Sequence, residues 1–424
     1  MPSPILLKNA RIIDPAHGVD QVGDLLLIDG KCQPAASAPA GAQEFDLTGK
    51  WLMPGFIDLH VHLREPGEEY KETIASGTMA AAAGGFTAVT CMPNTLPPLD
   101  SEQGISLVLS KARQAGKARV YPVGAISKGS KGNKLAEFGE MQKAGAVAFS
   151  DDGIPVINSQ LMRRALEYAS NYGQPIISHS EEISLSKNGA MNEGPLATRL
   201  GLRGIPRAAE EIMVYRDLAL AEYTGQRLHL AHISTKESVD LIRRAKMKGC
   251  LVTAETAPHY FSLTEEAIGN YDTAAKMNPP LRTAEDVAAI KEGLRDGTLD
   301  AIATDHAPHS ELEKDVEFAE AANGIIGLET AVPLALRLVQ EGVFDEKRLV
   351  ELLAINPAKI IGVTAGSLAQ GGRADITVID PQREFIYSRD MIVSKSKNSP
   401  FIDWRFKGKA VLTIVGGRII YSDL

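Results

Sequence analysis

Between residue 54 and about residue 310, short apolar runs rich in β-branched residues alternate with longer stretches in which apolar positions recur every three or four residues. Eight such runs can be counted, at roughly 55–62, 86–92, 118–126, 146–151, 174–179, 227–233, 251–256 and 300–304. Between them lie amphipathic stretches such as Glu69–Ala83, Ser159–Tyr172, Ala208–Tyr223 and Lys236–Lys248, each broken by Gly or by a Gly-containing turn. The alternation predicts repeated βα units around a parallel sheet. Eight parallel strands with helical crossovers close most naturally into a (β/α)8 TIM barrel. A doubly wound open sheet fits less well, because the Gly-x-Gly-x-x-Gly turn is missing and Gly84–Gly85 reads as a helix stop.

The two chain ends have a different texture. Residues 5–14, 24–28 and 45–53 are short strand-like runs separated by turn residues, and 374–380, 384–387 and 410–421 repeat the pattern after the barrel. Val411–Tyr421, with its Gly416-Gly417 turn, has the pattern of a hairpin. Both ends are therefore expected to build one small β-sandwich, residues 1–53 with 364–424, around a barrel spanning 54–363. The Pro/Ala/Gly-rich stretch 34–42 reads as a loop.

Composition narrows the class of function. With 424 residues the chain can bury a full core, and 45 basic against 53 acidic residues give a net charge of −8 with no basic face, which argues against nucleic acid as a partner. No apolar run approaches the roughly 20 residues that cross a bilayer, so neither a membrane span nor a secretory leader is expected and the cytoplasm is the default location. Cys32, Cys91 and Cys250 are scattered and form no Cys-x-x-Cys pair, which fits a reducing compartment and offers no thiolate zinc site.

Candidate chemistry gathers at the polar ends of the apolar runs. In Pro54-Gly-Phe-Ile-Asp-Leu-His-Val-His-Leu-Arg64, His60 and His62 stand two apart, so a strand aims both imidazoles to one side, about 7 Å apart along the chain. Alone, a His-x-His pair is as often two satisfied histidines as a metal site. His179 follows Gln-Pro-Ile-Ile-Ser, however, and His232 closes Arg-Leu-His-Leu-Ala-His. Asp151 and Asp152 end the fourth run, while Asp305, His306 and His309 end the eighth. In a barrel, reactive groups sit at the C-terminal ends of strands, so one mouth can collect the ends of strands one, four, five, six and eight. Imidazole and carboxylate without thiolate are donors for a catalytic zinc. On count alone, His60, His62 and Asp305 can hold one metal and His179 and His232 another, with a carboxylate at the end of strand four between them. A hydroxide held by two cations forms near neutral pH, since metal lowers the pKa of water from 15.7 to about 7. Asp305 would then serve as ligand and proton shuttle.

These strings, together with His60-Val-His-Leu-Arg-Glu-Pro-Gly67, Met92-Pro-Asn-Thr95, Phe149-Ser-Asp-Asp-Gly153, Glu255-Thr-Ala-Pro-His-Tyr260, Asn278-Pro-Pro-Leu-Arg282, Asp305-His-Ala-Pro-His309 and Gly327-Leu-Glu-Thr330, resemble bacterial class I dihydroorotases of the amidohydrolase superfamily over nearly the whole chain. The resemblance implies a zinc enzyme, with two ions per subunit, for the reversible cyclisation of N-carbamoyl-L-aspartate to L-dihydroorotate in pyrimidine synthesis. It further implies that Asp152 is the bridge, with Asp151 the weaker choice, and that His62, Arg64, Asn94, Asn278 and His309 meet the substrate, Arg64 pairing with its carboxylate. The competing reading of Arg64 is a local ion pair with Glu65 or Glu68, and that of Asn94 is a cap on its own turn. His259 is expected to order a loop, and His17, His229 and His306 to be structural.

The chain departs from its relatives at two places. Many superfamily members bridge their metals with a carboxylated lysine, for which strand four offers only aspartates, and Asn323-Gly324 stands where family members often carry an aromatic-Gly pair. The acidic stretch Ser310–Ala322 reads as a mobile loop and candidate lid. Allantoinase and hydantoinase share the ligand set, but neither substrate carries a ring carboxylate for Arg64. A non-catalytic partner of aspartate transcarbamoylase would have lost metal ligands, and all are present here. By the same resemblance a homodimer is expected, and association with aspartate transcarbamoylase stays open.

Overall fold

A computed structural model of the chain describes residues 3–424. Eight parallel strands form the barrel: β1 Phe56–Val61, β2 Phe86–Cys91, β3 Arg119–Gly124, β4 Ala148–Phe149, β5 Ile176–Ser178, β6 Leu228–Leu230, β7 Val252–Thr256 and β8 Ala301–Ile302. They neighbour one another in chain order, each inside one of the eight apolar runs read from the sequence. The first and last strands meet beyond β8. Val61 bridges to His306 in parallel, and the His62 N–H donates to the His306 carbonyl at 2.9 Å. Asp58 holds this seam. Its carboxylate accepts from the backbone N–H groups of His60 at 3.1 Å and Thr304 at 3.0 Å and from the Thr304 hydroxyl at 2.6 Å. Burial pushes the Asp58 carboxyl up to about 7 against the pull of those donors.

Helices cover the outside of the barrel where the periodicity places them, with Ser159–Ser170, Ala208–Thr224 and Lys236–Met247 within two residues of expectation at either end. The first helix is shorter than its pattern. It runs Ile74–Ala83 because Thr73 and Ser76 form a capping box that fixes its start, leaving Glu69–Glu72 in a loop. It stops at Gly84, where a Cβ would lie 2.1 Å from the Leu328 carbonyl oxygen. Among the described residues no helix is long and apolar enough to cross a membrane.

Both chain ends build one continuous eight-stranded sheet. Trp51–Pro54 sits inside it, parallel to Ile5–Asp14 on one side and antiparallel to Ile376–Ile386 on the other. The sheet bends back on itself, so that edge residue Cys32 exchanges backbone bonds with Gly371 and Gly372 at 2.8 and 3.0 Å. Leu7, Leu27, Cys32, Ile376, Leu412 and Ile414 pack together in its own apolar cluster. Gly416 and Gly417 have φ of 57° and 73°, as a two-residue type I′ turn between Arg405–Val415 and Arg418–Ser422 requires. Threonine hydroxyls fasten this sheet to the barrel: Thr377 donates to the Gly85 carbonyl at 2.6 Å and Thr413 to that of Ala82 at 2.7 Å.

The acidic stretch 310–322 carries a short helix, Glu311–Lys314. Two buried ammonium groups tie it to residues 273–276. Lys314 Nζ donates to the carbonyls of Thr273, Lys276 and Ala322 at 2.9, 3.2 and 2.7 Å, and Lys276 Nζ to that of Ala319 at 2.7 Å.

Candidate metal centre

The C-terminal ends of the barrel strands bring His60, His62, Asp152, His179, His232 and Asp305 into one buried cluster. Just past the fourth strand, where the chain enters a turn, the consecutive carboxylates of Asp151 and Asp152 point to different partners. Asp151 turns away, accepting from the backbone N–H groups of Ile126 at 2.8 Å and Ser127 at 3.1 Å and from the Ser127 hydroxyl. Asp152 faces the histidines. Its Oδ1 lies 3.3 Å from His60 Nε2, 3.6 Å from His179 Nδ1 and 3.7 Å from His232 Nε2, while Oδ2 lies 3.6 Å from His62 Nε2. Asp305 Oδ1 approaches His62 Nε2 at 3.1 Å and His60 Nε2 at 3.7 Å.

Neighbouring acceptors set which ring nitrogen faces the cluster. A carboxylate can only accept, so Glu255, 3.0 Å from His60 Nδ1, puts the proton there and leaves the Nε2 lone pair inward. The Asn94 side-chain oxygen does the same for His62 Nδ1 at 2.9 Å, and Glu181 Oε2 for His179 Nε2 at 3.1 Å, leaving His179 Nδ1 inward. His229 Nε2 lies 3.1 Å from the other Glu255 oxygen, and Glu181 accepts from the Asn278 amide at 3.1 Å. Burial opposes the charge on Asp152 and Asp305, yet the surrounding histidines hold both carboxyls well below their ordinary value. Burial likewise works against a charged His179, but Asp152 and Glu181 raise it to about 10. The cluster therefore favours positive charge at its centre.

A divalent cation fits this donor set. Two overlapping groups, His60/Asp152/His232 and His60/His62/Asp305, each have ligand atoms within 4.8 Å of one another. His60 Nε2 and Asp152 Oδ1, both buried, have no hydrogen-bond partner in the protein, a cost that a bound cation removes. Nitrogen and oxygen donors without thiolate suit zinc and its neighbours.

Above the cluster opens a cavity of about 220 Å³ lined by Arg64, Asn94, Asn278, His309 and Gly324 among others. Arg64 donates from Nε to the Pro308 carbonyl at 3.2 Å, and Nη2 lies 3.3 Å from His309 Nε2. Its approach to Glu68 is long, at 3.9 Å, so the local ion pair does not consume it. His309 is held neutral, its pKa lowered to about 3 by burial and by the charges of Arg64, Lys71 and Lys314, and its Nε2 meets the Asn323 carbonyl at 2.8 Å. Gly324 has φ of 132°, and a Cβ there would lie 2.6 Å from that of Ala307, which accounts for glycine at this wall. Arg64, His232 and Asp305 all have positive φ, at 59°, 36° and 48°, an uncommon region for non-glycine residues.

The other histidines lie outside the cluster. His306 takes the Gly327 N–H on Nδ1 at 3.2 Å, His17 pairs with Asp14 at 2.9 Å, and His259 is buried with its pKa lowered to about 4, chiefly by that burial. Sequence reasoning missed Glu255 and Glu181 as the groups that orient His60 and His179. The signal was present, since Glu255 is a polar residue at the end of β7 and Glu181 stands two after His179.

Residues 49–238 match the family described as Dihydro-orotase-like. Proteins named dihydroorotase from Geobacter metallireducens and Geotalea daltonii are each 56% identical over 421 residues, covering 99% of both chains. Among solved structures, the L-hydantoinase (dihydropyrimidinase) of Arthrobacter aurescens has a TM-score of 0.89 at 27% identity over 100% of this chain and 96% of its own. A D-hydantoinase from a Thermus species has a TM-score of 0.85 at 25% identity, over 99% and 95%. With more than half of all positions identical from end to end, the chain belongs to the dihydroorotase family.

Proposed function

We propose that this chain is a metal-dependent dihydroorotase that interconverts N-carbamoyl-L-aspartate and L-dihydroorotate, and that His60, His62, Asp152, His179, His232 and Asp305 would hold two zinc ions. The full-length relatives named dihydroorotase support the activity. The observation that favours it over the hydantoinase reading is Arg64, a cation in the cavity wall beside Asn94 and His309 where a ring carboxylate would lie. Metal bound in this donor set lowers the pKa of water toward 7 and polarises the amide carbonyl.

The protein's own groups do the rest. Arg64 holds the carboxylate through a charge-assisted pair, and Asn94 and His309 flank it. Asn278, tethered to Glu181, sits where the ring amide is fixed. In the ring-opening direction water adds to the amide carbonyl, its proton passes to Asp305, and Asp305 returns it to the departing nitrogen. Ring closure reverses each transfer. The test is turnover of dihydroorotate, dihydrouracil and hydantoin by the purified, zinc-loaded protein. Dihydroorotate should be opened fastest and chelation should stop it, whereas faster opening of the two substrates without a carboxylate would refute the reading.

A further inference from the structure

On the face of the barrel opposite the metal cluster, a cavity of about 480 Å³ opens where the end of helix Glu102–Ala115, the start of β3 and the Gly416–Gly417 turn meet. Five cationic side chains line it, Arg113, Lys117, Arg119, Arg373 and Arg418, and no Asp or Glu does. The chain as a whole carries a net charge of −8, so this wall runs against the average surface. Its volume lies within the roughly 300–1,000 Å³ of small-molecule sites.

The cations are only partly compensated. Asp375, behind the wall, takes Arg119 bidentately at 3.1 Å on each oxygen and also accepts the Gly416 N–H at 2.7 Å, while Arg373 reaches it only at 4.0 Å. Among the described residues, Arg113, Lys117 and Arg418 have no carboxylate within the 4.0 Å of an ion pair. The C-terminal end of a helix attracts cations, which accounts for Arg113 in the last turn and Lys117 just past it. It does not account for Arg373 and Arg418, which the terminal sheet brings to the same wall. Five cations from two parts of the fold share one cavity wall and one carboxylate, Asp375, and such an excess of positive charge matches a ligand with several anionic oxygens.

We propose that this cavity binds a small molecule carrying a chain of two or more phosphates, a nucleoside di- or triphosphate or a bare polyphosphate. The assignment is independent of the reaction at the other end of the barrel. A nucleic acid would need basic surface beyond the cavity, and the acidic chain does not provide it.

Calorimetry on the zinc-loaded protein with adenosine triphosphate, inorganic tripolyphosphate, adenosine and a single-stranded oligonucleotide tests this, alongside the double variant Arg113→Glu/Arg418→Glu and the milder Arg418→Ala. Both phosphate probes, or the nucleotide alone, should bind saturably, more weakly as salt rises. Affinity should fall at least about tenfold in the double variant and less in the single one, with ring opening unchanged in the absence of probe. Equal affinity for the two phosphate probes identifies the phosphate chain as the ligand, and tighter binding of the nucleotide adds its base. Binding of adenosine as tight as that of its triphosphate, tightest binding of the oligonucleotide, undiminished affinity in folded variants, or no saturable binding of either phosphate probe would each overturn the assignment.

Discussion

Exchanging Glu255 for glutamine asks how much of the metal affinity comes from a group that never touches the metal. Glu255 is 1% exposed; one oxygen accepts from His60 Nδ1 at 3.0 Å, and the other lies 3.1 Å from His229 Nε2, an ion-pair approach without hydrogen-bond geometry. Burial would raise its pKa, but His229 and His60 hold it at about 2. Glutamine offers one acceptor and one NH2 group. If its oxygen stays on His60, its NH2 meets His229 Nε2, which must give up its proton. His229 can do so, because its Nδ1 lies 2.8 Å from the Thr253 hydroxyl and that hydroxyl can turn to accept. The barrel therefore survives Glu255→Gln, and what is lost is the negative charge behind His60. Such outer contacts are worth about 10- to 100-fold in metal affinity, or about 1.4–2.7 kcal/mol. Adding Thr253→Val closes the escape route and leaves a buried donor unpaired, at a further cost of about 1–3 kcal/mol. Competition with a chromogenic chelator reads the first effect, and urea unfolding reads the second. Wild-type zinc affinity in Glu255→Gln would show that the negative charge behind His60 has no part in holding metal.

Other variants separate the remaining roles. Asp305→Asn should fold yet lose about 100- to 10,000-fold in turnover through loss of the proton shuttle, and near-normal rates in a metal-loaded sample would remove Asp305 from that role. Arg64→Ala should cost on the order of 2–5 kcal/mol in kcat/KM for dihydroorotate with zinc content unchanged, and equal turnover would place the carboxylate elsewhere. Asp152→Ala should deplete the metal between His179 and His232 most, whereas Asp151→Ala, which frees the N–H groups of Ile126 and Ser127, should lower stability and leave zinc stoichiometry intact; reconstitution should not need bicarbonate. Glu329 accepts the N–H groups of Val393 and Ser394 at 2.9–3.0 Å, and burial pushes it up to about 7 from 4.5. The folded chain then holds this proton more tightly than the unfolded one, so about 3 kcal/mol of stability is present below pH 4.5 and lost as pH rises through 7. Glu329→Gln should flatten that slope in urea unfolding between pH 5 and 8, and an unchanged slope would contradict it.

The barrel was legible because each strand is a short apolar run and each crossover helix repeats its apolar face, so β1 follows from an unbroken buried run and Ser159–Ser170 from side-chain period. Helix starts were less legible. Periodicity extended the first helix back to Glu69, while the Thr73–Ser76 capping box, a matter of two side chains, set it at Ile74. At the site, the residues that end strands were readable as one set, since a barrel gathers such ends at one mouth. What the sequence could not display is pairing across the mouth. Glu255 meets His60 across 195 positions and Asn278 meets Glu181 across 97, and no local pattern encodes such distances.

The placement of Trp51–Pro54 has a consequence for how the protein is made. One of its two neighbours, Ile5–Asp14, precedes it on the ribosome, but Ile376–Ile386 emerges about 320 residues later, or roughly 15–60 s at ordinary elongation rates. Throughout that interval the whole barrel is being synthesised beside a strand with one row of N–H and C=O groups unpaired and apolar residues on either face, the kind of edge that recruits foreign strands. Leu52 and Met53 gain their final neighbours only when the C-terminal strands arrive and close the edge.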